Sequence, residues 1–237
     1  MEHWEAIKPD GLRFVWDDVL FRPGTDSFLL AALPRLTPGL RVCDLGCGTG
    51  LLGLLLLQRQ PDLQITGIDL QPAAVALAQR AAAENGLTDR LSFRSEDLRT
   101  TALPAGSFDL VVCNPPYYPA GSGRVSADSA RRTARAETEA ALSDVCAAAA
   151  RLLRWGGKLC LVHKPERLTD VVCTLREHGM EPKRLRFVQH RAESAPSLLL
   201  AEGCRGGRPG LTLEPPLILQ TSDGAPTPEV DDAYFRT

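Results

Sequence analysis

The sequence predicts an α/β fold in which a mostly parallel sheet is covered by helices on both faces and closed at one edge by an antiparallel hairpin. Three observations lead there. From Arg41 onward the chain repeats strand, turn and helix; the segment Phe108–Cys113 is an apolar run bounded by turn residues, the form of a strand buried on both faces; and the last two strands lack a helix between them and should pair as a hairpin. At 237 residues the chain suits one well-cored domain. It divides into an N-terminal flap and helix (1–34), a core (41–204) and a C-terminal extension (205–237).

Within residues 1–24, apolar pieces at Leu12, Phe14, Val15 and at Val19, Leu20, Phe21 are separated by Asp10-Gly11 and Asp17-Asp18, the pattern of a small hairpin or extended flap. Thr25-Asp26 offers an N-cap to a helix over Ser27–Leu33, which Pro34 ends. Val42-Cys43-Asp44 is then a first strand, Leu51–Gln58 a helix and Gln64–Asp69 a second strand. Pro72 sits where a first helical turn tolerates it, and Ala74, Leu77, Ala78 and Ala81 mark the buried stripe of a helix reaching Asn85-Gly86. Strands follow at Leu91–Arg94 and Phe108–Cys113; two prolines stop the latter because neither has an N–H to donate. Glu137–Arg154 reads as an alanine-rich helix stopped by Gly156-Gly157, Lys158–His163 as a strand and Arg167–His178 as a helix ended at Gly179. Arg184–Val188 and Ser197–Glu202 complete seven strands as a hairpin. The proline-rich end from Glu214 to Thr237 is expected to lie over the surface.

Composition narrows the function classes. With 27 basic and 29 acidic residues the net charge is −2, so no global field attracts nucleic acid and any such binding needs a local patch. Cys43, Cys47, Cys113, Cys146, Cys160, Cys173 and Cys204 form no C-x-x-C pair and have no His at ligand spacing. Free thiols in a reducing cytoplasm, and no metal, are the expectation. Neither Met1–Glu5 nor the apolar run Leu51–Leu57 has the character of a membrane or export segment.

The chemistry centres on Asn114-Pro115-Pro116-Tyr117, at the carboxyl edge of the sheet, where open α/β folds place their ligands. A planar exocyclic amine attacks poorly until its hydrogens are held by acceptors that favour a pyramidal nitrogen. The Asn114 side-chain oxygen and the Pro115 carbonyl suit that task at about 3 Å, with Tyr117 stacked on the flat group. The same four residues also read as a loop that merely stops a strand. Asp44-Leu45-Gly46-Cys47-Gly48-Thr49-Gly50 links the first strand to its helix, and its glycines allow tight dihedrals and close approach of a ligand. Asp44 there repels a pyrophosphate but holds an ammonium. Asp69, about 20 residues beyond the turn, suits ribose hydroxyls. S-adenosylmethionine carries both an ammonium and a ribose; Asp97, which also reads as a solvated loop acid, would then accept from its adenine amino group.

In order and spacing, Asp44–Gly50, Asp69, Asp97 and Asn114–Tyr117 resemble the class I S-adenosylmethionine-dependent methyltransferases that modify amino groups, which implies a Rossmann-like fold with a seven-stranded sheet. More narrowly, Gly24-Thr25-Asp26-Ser27, Asn114-Pro115-Pro116-Tyr117-Tyr118, Pro215-Pro216-Leu217-Ile218 and Thr227-Pro228-Glu229-Val230 are similar to segments of the bacterial tRNA(Val) adenine-N6 methyltransferase family. That resemblance implies a tRNA partner, a target adenosine just 3′ of the anticodon and S-adenosylhomocysteine as product. It implies catalytic roles for Asn114, Pro115, Pro116 and Tyr117. The implied cofactor residues are Thr25, Asp26, Asp44, Gly46, Gly48 and Gly50, then Asp69, Leu70, Asp97, Leu98 and Asn114. RNA contacts fall to Tyr117, Tyr118, Arg131, Arg132 and Arg135, the arginines lying with Arg124 in a polar loop over the site. Where that family often shows Arg-His-Glu this chain has Arg135-Ala136-Glu137, which implies a changed substrate contact.

Two other readings stand beside this one. Protein glutamine N5-methyltransferases share the Asn-Pro-Pro-Tyr loop but usually carry a helical substrate domain ahead of the ligand loop, which here begins at Asp44. An RNA- or protein-binding module could keep the fold without turnover. A second basic cluster, Lys183, Arg184, Arg186, His190, Arg191, Arg205 and Arg208, reads either as an RNA surface or as a solvated face paired with Glu137, Glu139 and Glu193. His163 reads as a strand-end residue and not as a base.

Overall fold

A computed structural model describes residues 1–18, 23–115 and 141–236. Seven strands form the core of one sheet: β3 (Arg41–Leu45), β4 (Gln64–Asp69), β5 (Leu91–Ser95), β6 (Phe108–Cys113), β7 (Leu153–His163), β8 (Met180–Gln189) and β9 (Pro196–Arg205). Their order is β5-β4-β3-β6-β7-β9-β8. β3 pairs in parallel with both β4 and β6, so the chain winds outward in one direction from β3 to β5 and in the other from β6. That reversal opens a crevice at the carboxyl ends of β3 and β6. The hairpin of β8 and β9 is present, but β9 inserts between β7 and β8 and runs antiparallel to both. The antiparallel strand is therefore internal, and β8 is the outermost of these seven.

Side chains alternate along each strand and separate two cores. Val42, Leu110, Val112, Cys160 and Val162 face α1 (Thr25–Ala32), α2 (Leu51–Arg59) and α3 (Pro72–Glu84), whereas Cys43, Leu45, Val111, Leu159 and Leu161 face α4 (residues 141–152) and α5 (Leu168–Glu177). α2 is buried from Leu51 to Leu57 because the sheet covers one side and α1 and the N-terminal hairpin the other. The helix expected to run to Arg154 gives way to β7 at Leu153, which pairs with Phe108; a bulge through Gly156 (φ +79°) restores register at Leu110 and Lys158. Residues 137–140 lie outside the described residues.

The N-terminal hairpin pairs β1 (Glu2–Ala6) with β2 (Arg13–Asp17). The partner of the apolar piece around Phe14 is thus Glu2–Ala6, and Val19–Phe21 fall outside the described residues. Asn85 anchors β2 by accepting from the Arg13 N–H and donating to its carbonyl, both at 2.7 Å. α1 is capped by Gly24, with no side-chain cap bond. Thr25 and Asp26 therefore lie inside its first turn instead of ahead of it.

The C-terminal extension does more than cover the surface. β10 (Thr212–Leu213) and β11 (Leu217–Ile218) pair in parallel with the outer edge of β8, and α6 (Pro228–Ala233) packs on α1, with the Phe28 and Tyr234 rings stacked at 4.4 Å. Arg184 of β8 joins these parts: it donates to the buried Glu202 of β9 (3.1 Å from Nε), to Glu214 (3.1 Å) and to the Leu33 carbonyl at the end of α1 (2.7 Å), while Lys158 of β7 donates to Glu202 at 2.8 Å. Arg186 pairs with Glu229, and Arg205 donates to the Leu153 carbonyl. Much of the second basic cluster is therefore structural, with acidic partners other than those expected from sequence.

Burial opposes ionisation of Glu202, but Arg184 and Lys158 outweigh it and hold the carboxyl below its usual range. A depressed folded-state pKa stabilises above the unfolded value of about 4.3 and is lost as pH falls through the folded one. Replacing Glu202 by Gln leaves Arg184 half-buried with a weaker partner and should cost about 3 kcal/mol at pH 7 in urea unfolding. The difference from the parent should shrink as the pH is lowered below 4.

Candidate active site

The carboxyl ends of β3, β4, β5 and β6 border a cavity of about 730 Å³, a volume suited to a cofactor-sized ligand. The strand ends bring together residues far apart in sequence. Gly46 and Gly48 follow β3, Asp69 and Leu70 end β4, Asp97 and Leu98 follow β5, and Asn114 and Pro115 follow β6. Gly24 and Asp26 reach it from the start of α1, and Ala141 and Asp144 from α4.

The turn from β3 into α2 sets the shape of the floor. Gly46 and Gly48 take φ of +72° and +52°, and nothing lies within 4 Å of where a Cβ would stand, so the backbone there is open to approach. Gly50 differs. A Cβ on it would lie 2.6 Å from Phe93 Cζ, and it does not line the cavity, so its role is close packing. The Gly46 and Cys47 amides both donate to the Ile68 carbonyl. Asp69 ties the turn to α3, its two oxygens accepting from the Gly48 N–H (2.9 Å) and the Gln71 N–H (2.8 Å). Each oxygen keeps a lone pair for a further donor.

Asp44 is 1% exposed at the end of the central strand, and its Oδ2 has no hydrogen-bond partner among the described residues. It borders a second cavity of about 40 Å³, shared with Ser27, Gly46, Gly48 and Asn114 and therefore adjoining the first. Burial, with the charge of Asp69 added, pushes its carboxyl up to about 8 against a backbone hydrogen bond from Gly53. A buried acceptor without a donor is costly. A cation delivered there would satisfy it.

Asn114 Nδ2 donates to the hydroxyl of buried Ser27 at 3.1 Å. The first turn of α1 thereby orients the side chain at the end of β6. Asp97 departs from the simple expectation, because its carboxylate is taken by Arg99, with Nη2 at 2.6 Å and Nε at 3.0 Å. Glu96 accepts from the Thr101 hydroxyl and the Ala102 N–H. Leu70 is 63% exposed at the cavity mouth, placed to cover a flat group.

Of the residues singled out from sequence, Asp26, Gly46, Gly48, Asp69, Leu70, Asp97, Leu98, Asn114 and Pro115 border the large cavity and Asp44 the small one. Thr25 and Gly50 border neither. Pro116, Tyr117, Tyr118, Arg131, Arg132 and Arg135 lie outside the described residues, as do Arg124 and Ala136. Sequence reasoning gave no role to Ser27, Glu96, Arg99 or Asp144. Ser27 and Asp144 had a signal: each is a polar residue beside the apolar stripe of its helix.

His163 is buried at the end of β7, where burial lowers its pKa to about 4, and its Nδ1 accepts from the Lys164 N–H at 2.8 Å. It is neutral at pH 7. All seven cysteines are free. Among the described residues there is no group of three or more His, Cys, Asp or Glu suited to a metal, and no helix long and apolar enough to cross a membrane. The site as a whole fits a ligand with a cation at one end, hydroxyls at its middle and a flat base at the other.

Comparison with known proteins points the same way. The family profile of the methyltransferase small domain matches residues 21–178. A protein of Tolumonas auensis named tRNA1(Val) (adenine(37)-N6)-methyltransferase is 32% identical over 225 residues, covering 93% of this chain and 92% of the relative. A protein of the same name from Porphyromonas gingivalis is 32% identical over 189 residues, 76% of this chain and 73% of the relative. Among solved structures, a protein from Agrobacterium tumefaciens described as a predicted O-methyltransferase superposes with a TM-score of 0.73 at 23% identity, over 89% of this chain and 95% of that one. This last likeness concerns the fold alone.

The electrostatics of Asp44 are open to test without any ligand. A carboxyl whose pKa rises from 3.8 unfolded to about 8 folded favours the protonated native state, so it subtracts stability increasingly as pH rises between those values. Asp44→Asn should abolish that term. Urea unfolding from pH 5 to pH 8 should show the parent losing stability relative to Asp44→Asn, with the gap widest at pH 8.

Proposed function

The chain belongs to the methyltransferase small domain family, and from that membership we propose that it is an S-adenosylmethionine-dependent enzyme that methylates the exocyclic N6 amine of an adenosine in tRNA, next to the anticodon. The relatives matched over most of its length carry names specifying that reaction at adenine 37. The observation that carries the reading for this chain is Asn114-Pro115 at the carboxyl end of β6, held by Ser27 on the border of the cavity that Asp69 and the glycine turn share. The reaction belongs in the cytoplasm, one domain suffices for it, and no metal enters.

The chemistry that S-adenosylmethionine supplies when bound is a methyl group on a sulfonium, ready for in-line attack. Asp44 receives the ammonium, which answers its unpartnered oxygen, and Asp69 receives ribose hydroxyls with the lone pairs that the Gly48 and Gln71 amides leave. Leu70 and Leu98 cover the adenine of the cofactor. Gly46 and Gly48 let the ligand lie against bare backbone. On the substrate side, the target base leaves its stack and is held by Tyr117, while Asn114 Oδ1 and the Pro115 carbonyl accept the two amine hydrogens. Their grip strengthens as the nitrogen becomes pyramidal and positive. No base is required, because the methylated amine is acidic enough to release its proton to water. Arg131, Arg132 and Arg135 meet the phosphates around the target.

Asn114→Ala removes one acceptor of the pair, and by analogy with loss of one oxyanion-hole donor it should slow single-turnover methylation of tRNA by on the order of 10²–10³ at saturating cofactor. Binding of S-adenosylhomocysteine should stay within a few-fold of the parent, and a parental methylation rate would contradict the amine-gripping role. Replacing Arg131, Arg132 and Arg135 together should reduce the logarithmic salt slope of tRNA binding by roughly 0.7 to 0.9 per lost phosphate contact while leaving cofactor affinity unchanged. An unchanged slope would move the RNA surface elsewhere.

A further inference from the structure

Asp97 is already engaged. A carboxylate has about four acceptor sites. Arg99, two residues along, engages both oxygens with three donors: its backbone N–H at 2.9 Å on Oδ1, Nη2 at 2.6 Å on Oδ2, and a single Nε–H shared between the two oxygens at 3.0 Å. A further donor, such as the 6-amino group of an adenine, must compete with the Arg99 side chain, which spans both oxygens. Arg99 lines the same cavity.

A guanidinium that withdraws from a carboxylate needs another acceptor nearby. Four other carboxylates border the cavity: Asp26, Asp69, Glu96 and Asp144, and of these only Asp144 adds its charge to that of Asp97 on Arg99, while Asp69 already accepts from the Gly48 and Gln71 amides. Glu96 is already engaged by the Thr101 hydroxyl and the Ala102 amide. Asp144, on α4, has no hydrogen-bond partner among the described residues, and its charge already acts on Arg99.

Resting on the cofactor assigned above, we propose that Arg99 and Asp144 together set recognition of the adenine: Arg99 holds Asp97 in the ligand-free protein, yields one of its oxygens to the 6-amino group, and directs the freed N–H donors to Asp144. Arg99 and Asp144 are positioning residues, since each acts through the orientation and availability of Asp97. The exchange discriminates among purines. An adenine brings a donor at position 6 and drives the transfer, whereas a 6-oxo purine brings an acceptor there and leaves the Arg99–Asp97 pair in place.

The test is a double-mutant cycle read by calorimetry, with S-adenosylhomocysteine and its 6-oxo analogue S-inosylhomocysteine as probes for the parent, Asp144→Asn, Arg99→Ala and the double variant. Asp144→Asn should weaken S-adenosylhomocysteine binding about five- to tenfold when Arg99 is present and by less than about twofold in the Arg99→Ala background. Binding of the 6-oxo analogue should be insensitive to Asp144→Asn. Equal losses in both backgrounds, equal losses for both ligands, or no loss in the Arg99 background would each overturn the exchange. A parent protein that bound no S-adenosylhomocysteine would instead contradict the cofactor assignment itself.

Discussion

A carboxyl group buried at the end of the central strand, with one oxygen left without a donor among the described residues, is the constraint on which the site depends. Asp44 is placed there by β3, which pairs on both sides and cannot move without disturbing the whole sheet. Folding gains nothing from such a group, since burial alone makes its ionisation unfavourable. In the proposed reading the cost is recovered on binding, when a ligand cation takes the position that no donor among the described residues fills. The left-handed glycines at 46 and 48 serve the same end, because any side chain there would be strained and would stand over the backbone that the ligand approaches.

Support for this arrangement comes from the far end of the chain. α1 carries Ser27, the hydrogen-bond partner of Asn114, and its other contacts include the stacked pair of Phe28 with Tyr234 and the bond from Arg184 to the Leu33 carbonyl. Arg184 in turn is held by Glu202 inside the sheet and by Glu214 ahead of β11. A chain of packed and ionic contacts therefore links the C-terminal segment, through the edge of the sheet, to the carboxamide at the end of β6.

How much of this was legible in the sequence depended on whether a signal is local. Gln64–Asp69 and Phe108–Cys113 emerged with the bounds expected, because residues unsuited to a strand, such as the prolines after Cys113, cut them sharply. The glycine turn and the acidic strand ends were equally plain, since each function resides in one residue type at one place. Sheet order was not: nothing in Ser197–Glu202 says that it inserts between β7 and β8 instead of lying outside. β10 and β11 are two-residue strands held by backbone bonds to β8, too short for any periodicity to register. The partners of Arg184 and the clamp of Arg99 on Asp97 depend on side-chain geometry that spacing does not encode. Ser27 and Asp144 fall between these cases, as polar residues beside the apolar stripes of their helices, whose neighbours only the fold supplies.

The claim that the pocket is built around an uncompensated acid awaiting a cation has a direct thermodynamic consequence. Near pH 7 Asp44 is mostly protonated in the free protein, with its carboxyl at about 8, and an ammonium beside it favours the carboxylate. Titration calorimetry of S-adenosylhomocysteine binding at pH 7, repeated in buffers of different ionisation enthalpy, counts the protons exchanged. The account predicts release of roughly one proton per site by the parent and none by Asp44→Asn. Equal proton release by the two proteins, or none by the parent, would contradict it.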